Sequence, residues 1–304
     1  MLTGTSQRLI QFKRIAVLTD LSEESDKMVR YAASLARWYG SELLLVHAGS
    51  LEFRLPLSAE PLPNWPHGRP ALPGPLEGKL NLLKQQLTEQ RLAPRLIIRE
   101  ATIPSILGDL EQYHPSLLVV ASHGREGVSK WLFGSVAEEV FRKVQWPVLV
   151  VGPGIYGGEI SLQQQFSRVL YATDLSAVSV SALQYAACIA RDHEAEFFAL
   201  YVESDPSEGF TFDRAIALQR LQDWLEDRID GVAEALVGVH CLVDFGRPDM
   251  KIIKNAAEKD ADLLVLGARG LGEASGSASH FVGGTAYEVI CRSLSPVLIV
   301  PQPK

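Results

Sequence analysis

The chain has little cysteine and no apolar run of membrane length. Its 304 residues include three cysteines, Cys188, Cys241 and Cys291, all in the second half and without CxxC spacing. This distribution excludes a disulfide framework and a thiolate metal site, and we interpret the three thiols as small core hydrophobes. Apolar segments stay short of the roughly 20 residues that a membrane helix needs, and residues 1–14 lack the apolar core of a signal peptide. We therefore expect a cytoplasmic protein with no membrane partner.

Concentrated positive charge and metal-binding histidine patterns are also missing. The formal net charge is -7 and no basic run occurs, which argues against nucleic acid as a partner. The seven histidines form no HxxxH or HExxH pattern, so we expect no structural metal. With 47% hydrophobic and 21% charged residues, the composition is that of an ordinary soluble protein, and the length predicts about two domains.

What the chain does contain is an internal repeat. Residues 14–22, RIAVLTDLS, match residues 168–176, RVLYATDLS, 154 positions later, and residues 31–37 match residues 185–191 at the same offset. These segments have the patterns of one strand and one helix, each present twice. The serine of each Thr-Asp-Leu-Ser sequence can cap the helix that follows it.

The remaining elements are predicted to alternate in the same order in both halves. Strands are expected at 42–47, 95–100, 117–120, 147–151, 196–201, 240–245, 263–266 and 296–300, and helices at 80–91, 212–233, from near Pro104, from near Pro248, and after Gly134 and Gly284. Alternation of this kind predicts an α/β fold, with two doubly wound, parallel five-stranded sheets, Rossmann-like, and helices on both faces.

Two stretches interrupt the repeat. Residues 51–78 contain seven prolines, a density that precludes a regular element. This stretch is a lid, a partner surface or, as we favour, a tolerated insertion. Residues 152–165 hold four glycines and a proline and have the composition of a linker. We therefore divide the chain into a first domain of residues 1–153, a linker of residues 154–165 and a second domain of residues 166–304.

In each half an apolar strand runs directly into a glycine turn, and a second glycine then opens a helix. In the first half the turn is ASHG, residues 121–124, and the helix starts at Gly134-Ser135. In the second half the turn is GARG, residues 267–270, and the helix starts at Gly284-Thr285. Glycines let the backbone approach a ligand, and amides at a helix start attract anions, so the arrangement suits phosphate. A strand, a loop and a capped helix with no ligand would show the same pattern.

Ligands of parallel α/β sheets bind at the carboxyl ends of the strands, where the strand order reverses. Three residues in each half, each following a different strand, are predicted to converge there. They are Asp20, Ala48 and Gly124 in the first half, and Asp174, Val202 and Gly270 in the second.

These motifs resemble the universal stress protein family, once in each half. The family's nucleotide motif is glycine, two residues, glycine, nine residues, glycine, then serine or threonine. The first half follows this spacing with Ala121 in place of the first glycine, and the second begins with Gly267 but has four extra residues in the middle. The resemblance covers nearly all of both halves except the proline-rich stretch, the linker and the amino-terminal tail.

The resemblance implies a stress-associated regulatory protein that binds an adenine nucleotide and is not an enzyme. The implied cofactor is ATP, with Mg²⁺ or Mn²⁺ on its phosphates, and the implied assembly is a dimer-like pairing of the two halves or a homodimer. We expect the halves to pair through their last strands, Val148 to Val151 and Val297 to Val300, because these apolar strands would otherwise be bare sheet edges.

The candidate nucleotide-binding residues lie at strand ends, in the glycine turns and at the helix starts. They are Thr19, Asp20, Ala48, Ala121, His123, Gly124, Gly134, Ser135, Val136, Thr173, Asp174, Val202, Gly267, Arg269, Gly270, Gly284 and Thr285.

Each type of candidate residue has a structural alternative to its ligand role. The two aspartates either accept hydrogen bonds from ribose hydroxyls or begin Asx turns and helix caps. The helix-start glycines either cradle phosphate or permit close packing, and the hydroxyls beside them act as caps in both cases. His123 and Arg269 either reach a phosphate or stay solvated.

Two other functions stay open. A non-nucleotide ligand or a protein partner would use the proline-rich stretch and the vacated pocket. Slow ATP hydrolysis ranks third, because neither a phosphate-loop lysine nor a water-positioning residue is evident. We expect the first half to be the better nucleotide site, since Ala121 adds one methyl group, whereas residues 271–283 of the second half must be ordered on binding.

Overall fold

The computed structural model describes residues 9–49, 74–100, 103–121, 145–152, 166–204, 212–228, 238–268 and 284–302. The strands in chain order are β1 (Arg14–Thr19), β2 (Glu42–Gly49), β3 (Arg95–Glu100), β4 (Leu117–Ala121), β5 (Val148–Val151), β6 (Arg168–Thr173), β7 (Glu196–Glu203), β8 (Val239–Phe245), β9 (Leu263–Gly267) and β10 (Val297–Val300).

The described helices lie between these strands. They are α1 (Glu23–Tyr39), α2 (Gly74–Glu89), α3 (Ile103–Glu111), α4 (Val180–Asp192), α5 (Arg214–Glu226), α6 (Pro248–Glu258) and α7 (Gly284–Arg292), and a 3-10 turn, Ala177–Ser179, precedes α4. Within the described ranges, no helix is both long and apolar enough to cross a membrane.

Two predicted helices differ from the structure in their bounds. Helix α2 begins at Gly74, inside the stretch 51–78 for which we expected no regular element, because Pro75 lies in the first turn, where a backbone N–H has no helical partner to lose. Helix α5 spans Arg214–Glu226 and is shorter than the predicted 212–233. The linker and the predicted helix after Gly134 lie outside the described residues.

The strands form one mostly parallel sheet in the order β3-β2-β1-β4-β5-β10-β9-β6-β7-β8. Five parallel strands come from each half, and the two sets meet where β5 and β10 run antiparallel, with Leu149 opposite Leu298. The two five-stranded sheets expected from the sequence are therefore continuous with each other. Their outer edges are the third strand of each half, β3 and β8.

The sheet is covered by helices and buried side chains on both faces. Ile15 and Val17 of β1 face one core, which includes side chains of α1, α2, α4 and α5, and Ala16 faces the other, which includes side chains of α3, α6 and α7. Burial on both faces explains why the central strands are continuous apolar runs rather than alternating sequences. The predicted α/β fold with helices on both faces is confirmed.

Candidate functional site

The carboxyl ends of the parallel strands form one edge of the sheet in each half. Strand β1 lies between β2 and β4, and strand β6 lies between β7 and β9. The chain therefore leaves β1 and β6 towards one side and later returns on the other, which places the reversal of strand order beside Thr19 and Thr173. A ligand crevice is expected at this position in an open α/β sheet.

The loop after β1 is held by short hydrogen bonds. The buried hydroxyl of Thr19 accepts a bond from the Leu21 amide at 3.0 Å and shares a bond with the Ser25 hydroxyl at 2.8 Å. Oδ1 of Asp20 accepts a bond from the Ser22 amide at 2.9 Å, and Asp20 is exposed. Leu21 has a φ of 61°, a strained value for a leucine that this bonding maintains. The loop thus holds the Asp20 carboxylate at the mouth of the crevice.

The loop after β6 repeats this geometry. The Thr173 hydroxyl accepts a bond from the Leu175 amide at 3.0 Å and shares one with Ser179 at 3.0 Å, while Asp174 Oδ1 accepts a bond from the Ser176 amide at 3.1 Å. Leu175 also has a φ of 61°. Both aspartates therefore make the Asx turn that was one of their two predicted roles, and the turn fixes each carboxylate at the same edge.

The two serines that follow these aspartates make different hydrogen bonds. The prediction that each of them caps the next helix is correct for Ser22 and wrong for Ser176. Ser22 caps α1 by accepting a bond from the Ser25 amide at 3.2 Å. Ser176 makes no such cap, because its hydroxyl donates to Asp174 Oδ1 at 2.6 Å and a 3-10 turn precedes α4. The Asp174 carboxylate therefore accepts from both the amide and the hydroxyl of Ser176.

His47 lies at the carboxyl edge of the first half and is not among the candidate residues that the sequence predicts. It lies opposite Thr19 in the pairing of β1 with β2, is 5% exposed, and its Nδ1 is 2.9 Å from the Thr19 carbonyl oxygen. A carbonyl only accepts, so Nδ1 carries the proton and donates. The equivalent residue beside Thr173 is Tyr201, which is partly exposed. Burial, followed by the charge of Glu203, raises the pKa of Tyr201.

Charged side chains at the two edges also differ. In the first half, Nζ of Lys79 lies 3.5 Å from the Leu21 carbonyl oxygen, above the loop that carries Asp20. In the second half, Arg220 of α5 forms an ion pair with Glu203, the last residue of β7, at 3.2 Å. The second edge therefore has a cation that is already neutralised by a carboxylate of this chain.

The other described candidate residues lie at the same edge. Ala48 is near the end of β2, opposite Arg99 of β3, and Val202 is near the end of β7 with its side chain buried, so Val202 presents mainly backbone. Ala121 ends β4 opposite Val151 and is 8% exposed.

The described parts of the second glycine motif are Gly267, which ends β9, and Gly284 and Thr285, which begin α7. A methyl group at Gly284 would have no neighbouring atom within 4 Å. Close packing against the described residues therefore does not explain this glycine. The candidates that fall outside the described residues are His123, Gly124, Gly134, Ser135, Val136, Arg269 and Gly270.

The described groups include no evident nucleophile and no metal cluster. Burial raises the pKa of each cysteine thiol, so Cys188, Cys241 and Cys291 favour the protonated, unreactive form. All three thiols are free, and each is partly exposed. This differs from the sequence interpretation, which predicts small core residues. Across the described ranges, no group of three or more histidine, cysteine or carboxylate side chains is placed to hold a metal ion.

The kinds of group at the carboxyl edge allow a statement of what they could bind. A fixed carboxylate can accept hydrogen bonds from a ribose, exposed strand-end backbone can pair with a base, and helix-start amides can bind phosphate. Among the described residues, the carboxylates of Asp20 and Asp174 and the start of α7 at Gly284 are groups of these kinds. No described side chain there is arranged as a nucleophile with its base.

Comparisons with known proteins agree with this architecture. The family model described as the universal stress protein family matches residues 11–152 and again residues 165–301. A universal stress protein of Mycolicibacterium smegmatis is 25% identical over 308 residues, covering 94% of this chain and 96% of that protein. Universal stress protein MJ0531 of Methanocaldococcus jannaschii is 30% identical over 146 residues, covering 46% of this chain and 84% of its own length.

The fold is also found in a solved structure. The crystal structure of a universal stress protein from Archaeoglobus fulgidus superposes with a TM-score of 0.64 at 21% identity, covering 97% of this chain and 98% of that one. Two matches to one family model, which together span most of the sequence, show that this chain belongs to the universal stress protein family and carries two of its domains.

Proposed function

We propose that the protein is a stress-associated regulator that binds an adenine nucleotide, ATP, at the carboxyl edge of one or both halves and has no dedicated catalytic reaction. The observation that carries this proposal is the repeated Thr-Asp-Leu-Ser loop, which holds Asp20 and Asp174 in the same conformation beside the two reversals of strand order. Open α/β sheets bind their ligands at the reversal of strand order, where both of these loops lie.

The proposed binding mode assigns one role to each part of the edge. The aspartate carboxylate accepts hydrogen bonds from the ribose, and the backbone near Ala48 or Val202 contacts the adenine. The glycine turns and the helix starts, including Gly134-Ser135 and Gly284, hold the phosphates through backbone amides. Mg²⁺ or Mn²⁺ is held by the phosphates rather than by a protein cluster, in keeping with the donors described above.

We propose that the first half is the better site. The sequence of the second half has four more residues between its glycines, and fixing one residue on binding costs about 1 to 2 kcal/mol. Its edge also presents the Glu203 carboxylate, which is paired with Arg220 and repels phosphate. In the first half, the Lys79 ammonium lies over the Leu21 carbonyl and has no carboxylate partner among the bonds described for it. Attraction of an anion is therefore stronger at the first edge.

The two halves are proposed to act as a paired unit, with domain boundaries at 1–153, 154–165 and 166–304. Support comes from the antiparallel pairing of β5 with β10 and from core clusters that contain residues of both halves. A homodimer of the whole chain and a cytoplasmic location are further parts of the proposal. Both follow from the family resemblance and the composition, and each can be tested on the purified protein or in cells.

Nucleotide analysis of the purified protein tests the proposed function. The protein is denatured, the released small molecules are separated, and adenine nucleotides are identified by absorbance and mass spectrometry, with titration of ATP, ADP and AMP into nucleotide-free protein as the second measurement. We expect bound or bindable ATP, enhanced by Mg²⁺. Failure of all three nucleotides to bind would favour a protein or non-nucleotide partner, and release of ADP from added ATP over time would favour slow hydrolysis.

A further inference from the structure

Two equivalent positions of the repeat contact each other on the face of the sheet that is covered by α1, α2, α4 and α5. Tyr39 ends α1 and His193 follows α4, and the two residues are 154 positions apart, which is the offset of the repeat. The Tyr39 hydroxyl lies 2.9 Å from Nε2 of His193. Because each residue is the counterpart of the other, the approximate twofold axis that relates the halves passes between them.

The same symmetry relates the aromatic rings around this contact. Phe12 and Phe166 occupy equivalent positions, and each packs edge-on against its own partner, Phe12 against Tyr39 and Phe166 against His193, with ring centroids 4.9 Å apart in both cases. The shape of the contact is thus nearly symmetric. Its chemistry is not, because one half supplies a phenol where the other supplies an imidazole.

The hydrogen bonds give this pair a fixed direction. The Phe166 amide donates to Nδ1 of His193 at 3.3 Å, so Nδ1 carries the lone pair. Nε2 then carries the proton and donates to the Tyr39 hydroxyl. His193 is 4% exposed, so a polar group left without its partner at this contact is destabilising. A tyrosine at position 193 has no acceptor at the place of Nδ1 and would leave the Phe166 amide without this bond.

The neighbouring position is also unlike in the two halves. Trp38 stacks on His193 with a centroid distance of 4.9 Å and an interplanar angle of 19°. The counterpart of Trp38 is Asp192, whose carboxylate accepts bonds from the amides of Leu9 and Ile10, in the first half, at 3.0 and 3.1 Å. Only 2% of the Asp192 side chain is exposed, and Arg191 pairs with it at 3.2 Å.

We propose that the surface made by Trp38 and Tyr39 in one half and by Asp192 and His193 in the other selects the pairing of unlike halves. Pairing of two first halves would oppose Tyr39 to itself and give the Leu9 and Ile10 amides no carboxylate. Pairing of two second halves would oppose His193 to itself, so that two protonated Nε2 atoms would face each other without an acceptor. Polar groups left without a partner disfavour both alternatives.

The partner of a first half is therefore a second half, from the same chain or from another copy. This selection deepens the proposed pairing of the halves and does not depend on nucleotide. It also distinguishes this chain from an assembly of two identical domains, in which the two residues on the axis must be the same.

Exchanging the two axis residues tests the selection in the full chain. His193→Tyr and Tyr39→His each create a like pair, and the double variant restores an unlike pair in the reverse order. Hydrogen exchange followed by mass spectrometry measures opening of the junction in peptides that contain β5 and β10. We expect each single variant to raise exchange there by about tenfold, the equivalent of one lost buried hydrogen bond. The double variant should raise it by clearly less than the product of the two single effects.

Two controls keep the test decisive. His240→Tyr makes the same substitution at an exposed histidine of β8 and should leave exchange in β5 and β10 at the parent rate. Tyr39→Phe removes only the hydroxyl, so it serves if a like-pair variant fails to fold, and we expect an increase of about threefold to tenfold. Parent-like exchange in Tyr39→Phe and the single variants, or multiplicative effects in the double variant, would overturn the selection. Absence of nucleotide binding would overturn only the proposed function.

Discussion

Replacement of Asp20 separates the two things that its carboxylate does. The first is internal, since Oδ1 accepts the Ser22 amide at 2.9 Å and closes the Asx turn. The second is the proposed bond to the ribose. Asp20→Asn keeps an acceptor oxygen for the amide and removes the charge, whereas Asp20→Ala removes both. Asp174→Asn and Asp174→Ala make the same changes in the second half, where Oδ1 accepts from Ser176.

The expected magnitudes follow from these contacts. A hydrogen bond to a charged group contributes about 1.5 to 3 kcal/mol, and the exposure of Asp20 argues for the lower end. Asp20→Asn should therefore weaken ATP binding by roughly tenfold and Asp20→Ala by at least as much. Loss of the turn in Asp20→Ala should in addition lower the free energy of unfolding by about 1 kcal/mol, while Asp20→Asn should change it by less than about 0.5 kcal/mol.

Calorimetric titration of Mg-ATP into the full chain, with urea unfolding in parallel, measures both effects. The two Asp174 variants should leave the tighter binding event unchanged if the first half is the better site. Loss of that event only in the Asp174 variants would reverse the assignment. Unchanged affinity in both Asp20 variants, with the parent binding normally, would refute the ribose role of the carboxylate.

Three further predictions concern stability. Ser22→Ala should lower the free energy of unfolding in urea by about 1 kcal/mol because it removes the cap of α1. Ser176→Ala should lower it by less, because it removes only the hydrogen bond from the Ser176 hydroxyl to Asp174 and no cap. His47→Ala should cost about 1 to 3 kcal/mol in the same assay because the Thr19 carbonyl loses its donor, and His47→Asn, which keeps an N–H, should recover part of the loss. Burial alone would raise the pKa of Asp249, but the hydrogen bonds and charge of Arg247 hold this pKa below the ordinary carboxyl value. The ionised carboxylate therefore stabilises the fold above the ordinary carboxyl pKa, and this stabilisation is lost as the pH falls through the lowered pKa. In Asp249→Asn, the free energy of unfolding should consequently fall less steeply with pH below about pH 4.

The fold was largely predictable because both faces of the sheet are covered. Buried central strands such as Leu117–Ala121 and Leu263–Gly267 are continuous apolar runs, which identify them without any knowledge of their neighbours. The repeat then supplied the order of elements twice. Bounds were less predictable where local exceptions apply, as at Pro75, whose place in the first turn of α2 depends on where the helix starts.

The candidate site was predictable in position but not in its bonding. Thr19 and Asp20 were selected because they follow a core strand, and the structure places them at the reversal of strand order. His47 was missed because it reads as the end of an ordinary strand, and its role depends on the register of β1 against β2. Comparing it with Tyr201 at the same repeat position was the one available signal. The Ser176 hydroxyl can either donate to the Asp174 carboxylate or accept from a helix amide as a cap, and composition does not decide between the two.

The two ends of strand β7 offer a direct test of why the second half should bind nucleotide less well. Glu203 at the carboxyl end pairs with Arg220 at 3.2 Å, and Glu196 at the amino end pairs with Arg168 at 3.3 Å. Each glutamate contributes one negative charge and one ion pair, but only Glu203 lies at the edge proposed for phosphate. The two therefore form a matched pair of positions on one strand.

Glu203→Gln should release Arg220 from its carboxylate and remove a like charge from the second site. Ion pairs at the protein surface contribute about 0.2 to 1 kcal/mol, and a gain of the same order in nucleotide binding corresponds to an affinity roughly 1.4-fold to 5-fold higher in the second half. Measured in an Asp20→Ala background, which weakens the first site, Mg-ATP titration should show this gain at low salt and less of it at high salt. Glu196→Gln removes the same charge at the opposite edge and should leave the affinity unchanged. Equal gains in both variants would mean that net charge, rather than the local Glu203 carboxylate, limits binding in the second half.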